Sequence, residues 1–393
     1  MRKRLLYYEI IKQLDHKNAI VITGMRQVGK TTLMKQIFQE LTMPKLWFDF
    51  DNPLDQLLFE DTDYNAIYKR LVSEAGTPHD RLYVFIDEIQ NFPQITTIIK
   101  YLIDHYQVKF IVTGSSNFYL RNLFPESLSG RKFLFILYPM SFREYLYFKD
   151  DKTTLPEMPA PFPAITDQSS YFHEKYAFYY DQFMEFGGFP EVVTTEDIPT
   201  KKMVLKNIFA SFFEKDLNLL SDIKDIRELR DLILLLVPRT GNMLDITRLS
   251  AELGVNRVKV YNYLEFLQGV FFIHLIPKYS KSIDRSVAGG KKVCFSDTGL
   301  LNIIGKITDG QLFENAVANQ LLHYGTLTYF NKRNTSEIDF ILNLDIAIET
   351  KQTGTLNDYK KLEKISTGLG IKKYYVVSRK YTDLKGFLSP SAF

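Results

Sequence analysis

The residues from Gly24 to Thr31 form a pattern typical of loops that bind phosphate groups. They match G-x-x-x-x-G-K-T, and they lie between a short apolar run ending at Thr23 and a helical pattern opening at Thr32. Glycines let backbone N–H groups wrap around phosphates, and the N-terminus of the following helix adds partial positive charge. Lys30 would reach the β and γ phosphates, and Thr31 would bind Mg²⁺. The pattern therefore predicts an ATP-binding loop made of Gly24, Met25, Arg26, Gln27, Val28, Gly29, Lys30, Thr31 and Thr32.

A pair of carboxylates follows the apolar run that begins at Tyr83. Asp87 ends this run and Glu88 comes directly after it. Behind a phosphate-binding loop, the first acid is placed to bind Mg²⁺ and the second to take a proton from the water that attacks the γ phosphorus. The pair therefore predicts hydrolysis of ATP in addition to binding.

Two further residues are candidates for this chemistry, each with an ordinary alternative. Ser115 follows another apolar run and could orient the water or contact the γ phosphate, although a simple Gly-Ser turn explains it equally well. Arg131 could neutralise charge in the transition state as an arginine finger, in its own subunit or in a neighbouring one. A solvated surface charge is the alternative for Arg131.

Five short apolar runs must position these residues. They occur at Ala19–Thr23, Leu46–Phe50, Leu82–Ile86, Phe110–Thr113 and Phe133–Leu137. Continuous apolar runs are typical of strands buried on both faces, and helical patterns separate most of them. The first 145 residues or so are therefore predicted to form an α/β fold with a wound parallel sheet.

A second set of charged residues lies near the end of the chain. Asp339, Glu349 and Lys351 stand on consecutive predicted strands in a D-x9-E-x-K arrangement, and Glu314 on the preceding helix could join them. Two carboxylates can hold Mg²⁺ against a scissile phosphate while a lysine activates water. Because such a triplet also arises by chance, the prediction depends on its helix-strand-strand-strand-helix-strand context. The alternative is a domain that binds DNA without cutting it.

Between these regions the sequence predicts a helix-turn-helix. Gly254 can end one short helix and Asn256 can cap the next. In the second helix we expect Val258, Tyr261 and Leu264 to face the core. Arg257, Lys259 and Asn262 would then point outward to contact phosphates or base edges. A purely structural helix pair is the alternative.

Composition limits the classes of protein. The chain has 393 residues, and its 49 basic against 46 acidic side chains neither demand nor forbid a nucleic-acid partner. A single cysteine, Cys294, excludes an intramolecular disulfide and a Cys-rich zinc site. The longest apolar runs fall far short of the roughly 18 residues that a membrane helix needs. We therefore expect a cytoplasmic protein without a membrane segment.

The motifs together resemble one family. The loop at residues 24–31, Asp87-Glu88, Thr113-Gly-Ser, Ser129-Gly-Arg131 and the later Gly187-Gly-Phe-Pro190 are similar to those of AAA-like P-loop ATPases of bacteria and archaea. In that family the C-terminal domain is restriction-endonuclease-like and its role is undefined. The resemblance implies a sheet of strand order 5-1-4-3-2.

The resemblance and the patterns give one organisation. We expect an ATPase domain at 1–147, a linker and helical connector at 148–240, a winged-helix-like module at 241–285 and a restriction-endonuclease-like α/β domain at 286–393. The predicted function is Mg²⁺-dependent ATP hydrolysis coupled to a module that binds or cuts DNA, with homo-oligomers as an open question. The alternative is an ATP-controlled signalling switch with protein partners. A small-molecule kinase is a third, less favoured hypothesis.

Overall fold

The structure is a computed structural model that describes residues 2–76, 81–114, 130–149, 162–163, 169–216, 226–280, 289–332 and 336–392. Ser115 and most of the proline-rich linker predicted around residues 150–170 lie outside these ranges. The chain divides into two compact units. Unit 1 contains Met1–Tyr138 and Gly269–Phe271, and unit 2 contains Pro139–Gln268 and Phe272–Phe393.

Unit 1 is built around a five-stranded parallel sheet. Its strands are β1 (Ala19–Thr23), β2 (Lys45–Asp49), β3 (Tyr83–Asp87), β4 (Lys109–Gly114) and β5 (Lys132–Ile136). Its helices are α1 (Leu5–Ile11), α2 (Lys30–Glu40), α3 (Pro53–Leu57), α4 (Tyr64–Glu74) and α5 (Ile95–Tyr106).

The strand order is β2-β3-β4-β1-β5, which confirms the predicted order 5-1-4-3-2. Every residue of β1, β3 and β4 is buried, as expected for inner strands covered on both faces. Because all neighbouring strands are parallel, the residues that follow β1, β3 and β4 meet at the same edge of the sheet. This carboxyl edge is where the predicted nucleotide residues fall.

Helix α5 shows how the helices hold this sheet. Its buried residues Ile95, Ile98, Ile99 and Leu102 recur at intervals of three and four, which places them on one face. They pack in the same apolar cluster as Val84 and other residues of the sheet. Each fully buried aliphatic side chain stabilises the fold by about 1.5–3 kcal/mol relative to exposure.

Unit 2 begins with helices and ends with a mixed sheet. Its helices are α6 (Phe142–Lys149), α7 (Ser170–Phe186), α8 (Pro190–Thr194), α9 (Ile198–Ser211), α10 (Ile226–Leu236), α11 (Ile246–Leu253), α12 (Arg257–Gly269), α13 (Thr298–Ile304), α14 (Asp309–Leu321) and α15 (Leu356–Leu369). The predicted break between α7 and α8 falls at Gly187-Gly188, where a Cβ on Gly188 would overlap the backbone of Met140.

The helix-turn-helix lies in α11 and α12. Gly254 ends α11 in a left-handed conformation, and the Asn256 side chain accepts a hydrogen bond of 2.9 Å from the backbone N–H of Lys259, as a cap does. The antiparallel strands β6 (Ile273–Ile276) and β7 (Lys292–Phe295) follow α12 as a hairpin.

The expected buried face of α12 was right for Leu264 and wrong for Val258 and Tyr261. Val258 and Tyr261 are exposed, whereas Val260, Tyr263 and Leu264 are buried. The helix is therefore rotated from the predicted orientation, because its apolar residues occur on more than one face and packing within unit 2 selects between them.

The C-terminal sheet consists of β8 (Leu327–Lys332), β9 (Ser336–Leu342), β10 (Ile346–Lys351), β11 (Lys373–Ser378) and β12 (Phe387–Leu388). Its strand order is β12-β11-β10-β9-β8. From α14 to β11 the chain follows the expected helix-strand-strand-strand-helix-strand order. Phe340 and Ile348 join a cluster with α14, while Ile341 and Ala347 join one with α15, so side chains alternate between two covered faces. Across the described ranges, none of the helices combines the length and apolar character needed to cross a bilayer.

Candidate functional site

The loop between β1 and α2 has the backbone geometry of a phosphate cradle. Gly24 and Gly29 adopt φ values of 148° and 95°, which side chains rarely tolerate. A Cβ on Gly24 would also overlap the carbonyl oxygen of Leu137. Helix α2 begins at Lys30, so its free N–H groups lie at the end of this loop. The two glycines therefore fix a turn that no other residue forms without strain.

Lys30 is buried beneath the loop. Its Nζ donates hydrogen bonds of 3.0 Å to the carbonyl oxygens of Gly24 and Met25. These carbonyl groups are dipoles without net charge, so the ammonium can be attracted further by an anion. The geometry matches a lysine that contacts phosphate oxygens.

Arg4 supports the same loop and was not predicted. Its buried guanidinium donates to the carbonyl oxygen of Val28 at 3.0 Å and to that of Tyr138 at 2.8 Å. An arginine near the N-terminus resembles any surface charge in sequence, so only its burial reveals this role.

The acid pair lies at the carboxyl edge of the sheet. Asp87 ends β3 and is buried, while Glu88 has a left-handed φ of 53°. Such a conformation costs about 1–3 kcal/mol in a residue other than glycine and often occurs at active sites. The Gln90 side chain donates a hydrogen bond to the Glu88 carboxylate. Glu88 is therefore held in a fixed orientation.

Thr113 joins the two acids. Its Oγ1 donates to Oδ1 of Asp87 and accepts a hydrogen bond of 3.2 Å from the backbone N–H of Glu88. Ser115, the candidate that follows this apolar run in the sequence, lies outside the described residues. Thr113 ends the apolar run of β4, and its position beside Asp87 follows only from the pairing of β3 with β4.

Thr31 and Asp87 have side-chain oxygens that suit Mg²⁺. Thr31 supplies a hydroxyl in the first turn of α2, and Asp87 supplies a carboxylate at the end of β3. Mg²⁺ prefers oxygen ligands and is typically completed by phosphate oxygens and water. Thr31 and Asp87 would therefore hold the ion together with ATP.

Arg131 is not near the other candidates of its own subunit. It precedes β5, whose first residue Lys132 pairs with Ala19 at the start of β1, so it lies at the amino edge of the sheet. A five-residue strand spans about 16 Å, and the phosphate loop lies beyond its far end. The Arg131 Nε instead donates to Oδ1 of Asp104 at 2.7 Å.

In unit 2 the predicted C-terminal residues do come together, around a lysine that was not predicted. Lys292 at the start of β7 is almost fully buried. Its Nζ lies 2.8 Å from Oε1 of Glu314 and 3.9 Å from Oδ1 of Asp339. Burial opposes the charged form of this lysine, yet the two carboxylates raise the pKa of Lys292 above its usual range.

The other carboxylate oxygens have their own partners. Oδ2 of Asp339 accepts hydrogen bonds of 2.8 Å from both the N–H and the hydroxyl of Thr350. Oε1 of Glu349 lies 2.7 Å from Nζ of Lys351. Burial and the charge of Asp339 raise the pKa of Glu314 to about 7, and the same causes raise the pKa of Glu349.

The described part of the chain contains no group of three carboxylate, imidazole or thiol side chains arranged to hold one metal ion. Lys292 is 22 and 47 positions away from its two acidic partners in sequence. A motif read along the strands β9 and β10 could not include it.

On helix α12 the three predicted DNA-contacting residues differ in their surroundings. Arg257 and Asn262 are exposed, together with Tyr261. Lys259 is half-buried, and its Nζ forms an ion pair with Glu228.

Residues 16–146 match the family model described as "AAA domain". This region is similar to AAA domains. The match covers β1 to β5 and includes Lys30, Asp87, Glu88 and Thr113. Residues 177–311 and 309–387 match two domains of unknown function, DUF8612 and DUF4143.

Relatives along most of the chain are themselves uncharacterized. An uncharacterized protein of Haemophilus influenzae is 28% identical over 396 residues, which cover 93% of this chain and 92% of the relative. An uncharacterized protein of Methanocaldococcus jannaschii is 25% identical over 390 residues, with 93% and 82% covered.

Solved structures similar to the chain include a Walker-type ATPase of Pyrococcus abyssi. It shares 14% identity, with a TM-score of 0.48 over 77% of this chain and 98% of the other. The Orc1 protein of Aeropyrum pernix, solved in complex with DNA, shares 11% identity, with a TM-score of 0.33 over 77% of this chain and 92% of the other.

Proposed function

We propose that the protein is a Mg²⁺-dependent ATP hydrolase whose AAA domain acts together with a C-terminal DNA-binding module. The observation that carries the first part is the meeting of two groups of residues at one edge of a parallel sheet. Lys30 lies in a loop with the backbone conformation of a phosphate cradle, and Asp87, Glu88 and Thr113 are connected by hydrogen bonds at the ends of β3 and β4.

Each of these residues has a role that its position supports. Backbone N–H groups of the loop and the N-terminus of α2 bind the phosphates, and Lys30 turns from the carbonyl groups of Gly24 and Met25 to phosphate oxygens. Thr31 and Asp87 would hold Mg²⁺, which when bound would neutralise negative charge on the phosphates. The fixed carboxylate of Glu88 accepts the proton of the attacking water, and Thr113 orients both acids.

Phosphate release by the wild type, Lys30→Ala and Glu88→Gln tests this assignment. We expect Lys30→Ala to bind ATP weakly, because the variant lacks the positive charge that would contact the phosphates. Glu88→Gln should bind ATP but turn it over at least about a hundredfold more slowly, since removal of a general base typically costs 10²–10⁴ in rate. Wild-type turnover by Glu88→Gln would show that Glu88 is not the base.

Arg131 can serve ATP hydrolysis only from a second copy of the chain. Its place at the amino edge keeps it from the loop of its own unit. If it acts as a finger in a homo-oligomer, Arg131→Ala mixed with Glu88→Gln should recover part of the activity that each variant lacks. An activity that does not depend on protein concentration and shows no recovery on mixing would leave Arg131 as a surface charge paired with Asp104.

The DNA-binding part of the proposal is supported by helix α12. Arg257, Tyr261 and Asn262 give an exposed surface that combines a cation, an aromatic ring and an amide in the second helix of a helix-turn-helix. The helix-strand-strand-strand-helix-strand order that follows it agrees with a restriction-endonuclease-like domain. Lys259 contributes less, because its ion pair with Glu228 already neutralises it.

Binding of duplex DNA at several salt concentrations tests this surface. Arg257→Glu should weaken binding to any sequence and reduce the salt dependence by about one counterion. Lys306→Glu, which changes another exposed lysine of unit 2, is the matched control and should have little effect. Equal losses in both variants would indicate nonspecific attraction, and no binding by the wild type would contradict the DNA module.

The alternative function is an ATP-controlled switch that assembles with protein partners. DNA distinguishes the two, because a coupled DNA module should change the rate of ATP turnover. A switch of this kind would hydrolyse ATP at the same rate with and without single-stranded, duplex or branched DNA.

A further inference from the structure

The D-x9-E-x-K arrangement of Asp339, Glu349 and Lys351 is one that holds a divalent cation in restriction-like nucleases. In the structure, however, a buried lysine lies beside two carboxylates of this cluster. We propose that Lys292 supplies the cation of this cluster, so that its ammonium takes the place between Glu314 and Asp339 where a metal ion would otherwise bind. This inference goes beyond the proposed function and holds whether or not the module binds DNA.

The ammonium of Lys292 lies among oxygens that a metal ion would use. Nζ of Lys292 is 2.8 Å from Oε1 of Glu314, 3.9 Å from Oδ1 of Asp339 and 3.4 Å from the carbonyl oxygen of Asp339. It therefore contacts oxygens from a helix and from a strand at once. A metal ion would use the same oxygens at about 2.0–2.6 Å, and two cations cannot share that space.

Lys292 is also held in the protein interior. Only 2% of the Lys292 side chain is exposed, so the ammonium cannot swing into solvent without opening the fold. Its Nζ lies over the rings of Tyr329 and Phe340, 5.7 Å and 5.2 Å from their centroids. Lys292 is thus a fixed part of the interior and differs from a surface lysine that a metal ion could displace.

Other carboxylate oxygens of this cluster have partners within the protein. Oδ2 of Asp339 is held by two hydrogen bonds from Thr350, and Oε1 of Glu349 is paired with Lys351. Three of the six carboxylate oxygens of Glu314, Asp339 and Glu349 are therefore already paired within the fold. Mg²⁺ takes six ligands and Ca²⁺ six to eight, so the oxygens that remain are too few for either ion.

The residues of this cluster lie on three different elements of unit 2. Lys292 is the first residue of β7, where it pairs with Ile276 of β6 and forms a bridge with Met243. Glu314 lies in α14 and Asp339 in β9. The buried ion pairs therefore connect the hairpin that follows the helix-turn-helix to the C-terminal sheet, which is a structural role rather than a metal-dependent catalytic one.

Binding of Mn²⁺ to the full-length chain tests the proposal. The background carries Thr31→Ala and Asp87→Asn and no nucleotide, so that the AAA domain contributes no metal site. Bound Mn²⁺ is measured by equilibrium dialysis and by electron paramagnetic resonance of the free ion. With Lys292 intact we expect no saturable binding. Lys292→Ala should create saturable Mn²⁺ binding that is at least about tenfold tighter than the weak, unsaturated binding of the background, a difference of about 1.4 kcal/mol.

Two further variants locate the effect. Adding Asp339→Asn to Lys292→Ala should abolish the new site. Lys351→Ala, which removes the other lysine of the cluster, should leave Mn²⁺ binding as it is in the background. Circular dichroism confirms that each variant is folded.

Three results would overturn the proposal. One is saturable Mn²⁺ binding with Lys292 intact that Asp339→Asn abolishes, and this measurement needs no change at Lys292. Another is a folded Lys292→Ala chain that binds no more Mn²⁺ than the background. The third is a new site created by Lys351→Ala in place of Lys292→Ala.

Discussion

Lys30 and Lys292 are both buried, but their side-chain nitrogens have different partners. Nζ of Lys30 donates to the carbonyl groups of Gly24 and Met25, whereas Nζ of Lys292 lies between the carboxylates of Glu314 and Asp339. The carboxylates beside Lys292 supply its counter-charge within the fold. Because both lysines are buried, burial does not separate the two regions, whereas the charge of the neighbouring oxygens does.

The largest effect should come from removing the enclosed lysine. Lys292→Met leaves the largely buried carboxylates of Glu314 and Asp339 without their cation. Breaking a buried pair in this way costs about 3–5 kcal/mol. The matched control Lys351→Met removes a lysine that is 35% exposed and should cost much less. Urea unfolding of both variants measures the difference, and equal losses would contradict the distinction between the two lysines.

The unfolding free energy of Lys292→Met should also depend on pH. Burial raises the pKa of Glu314 from 4.5 to about 7, so between these values the folded chain binds more protons than the unfolded chain. Its contribution to stability therefore falls as pH rises through this window. Because protonation relieves an unpaired carboxylate, the deficit of Lys292→Met against the wild type should shrink from about pH 8 to about pH 5. A deficit that grows toward acid would show that Glu314 is not the group left unpaired.

The next effect concerns the glycine that shapes the nucleotide loop. Gly24→Ala introduces a Cβ against the carbonyl oxygen of Leu137 at a φ of 148°, so we expect a loss of about 1–3 kcal/mol in unfolding free energy together with weaker ATP binding. Gly368→Ala is the control, because it lies in helix α15 with open space around it. That variant should be neutral or more stable by up to about 1 kcal/mol. Similar thermal unfolding of both variants would mean that the loop accommodates the Cβ.

The smallest effect is expected at Thr113. Thr113→Val keeps the shape of the side chain but removes the hydroxyl that joins Asp87 to Glu88. Since a hydrogen bond to a charged group is worth about 1.5–3 kcal/mol, turnover should fall about tenfold or more while ATP binding persists. Thr113→Ser is the matched control that retains the hydroxyl. Wild-type turnover in Thr113→Val would remove Thr113 from the site.

The sequence predicted the sheet of unit 1 well because its signals are local. The strand β1 has the bounds Ala19–Thr23 that its apolar run indicated, and the strand order agrees with the one that the family resemblance implied. Long-range contacts were harder to predict. Thr113 and Lys292 act through partners on other elements, and the orientation of Val258 and Tyr261 depends on packing that a helical period does not specify.

Equilibrium binding of a non-hydrolysable ATP analogue with Mg²⁺ tests the proposed nucleotide site of unit 1 most directly. The comparison uses the wild type, Lys30→Met and Lys351→Met in the same titration. We predict one analogue per chain, about a hundredfold weaker binding by Lys30→Met, consistent with the loss of a charge-assisted contact to phosphate, and unchanged binding by Lys351→Met. Equal affinities of the wild type and Lys30→Met, or no binding by the wild type, would contradict the account.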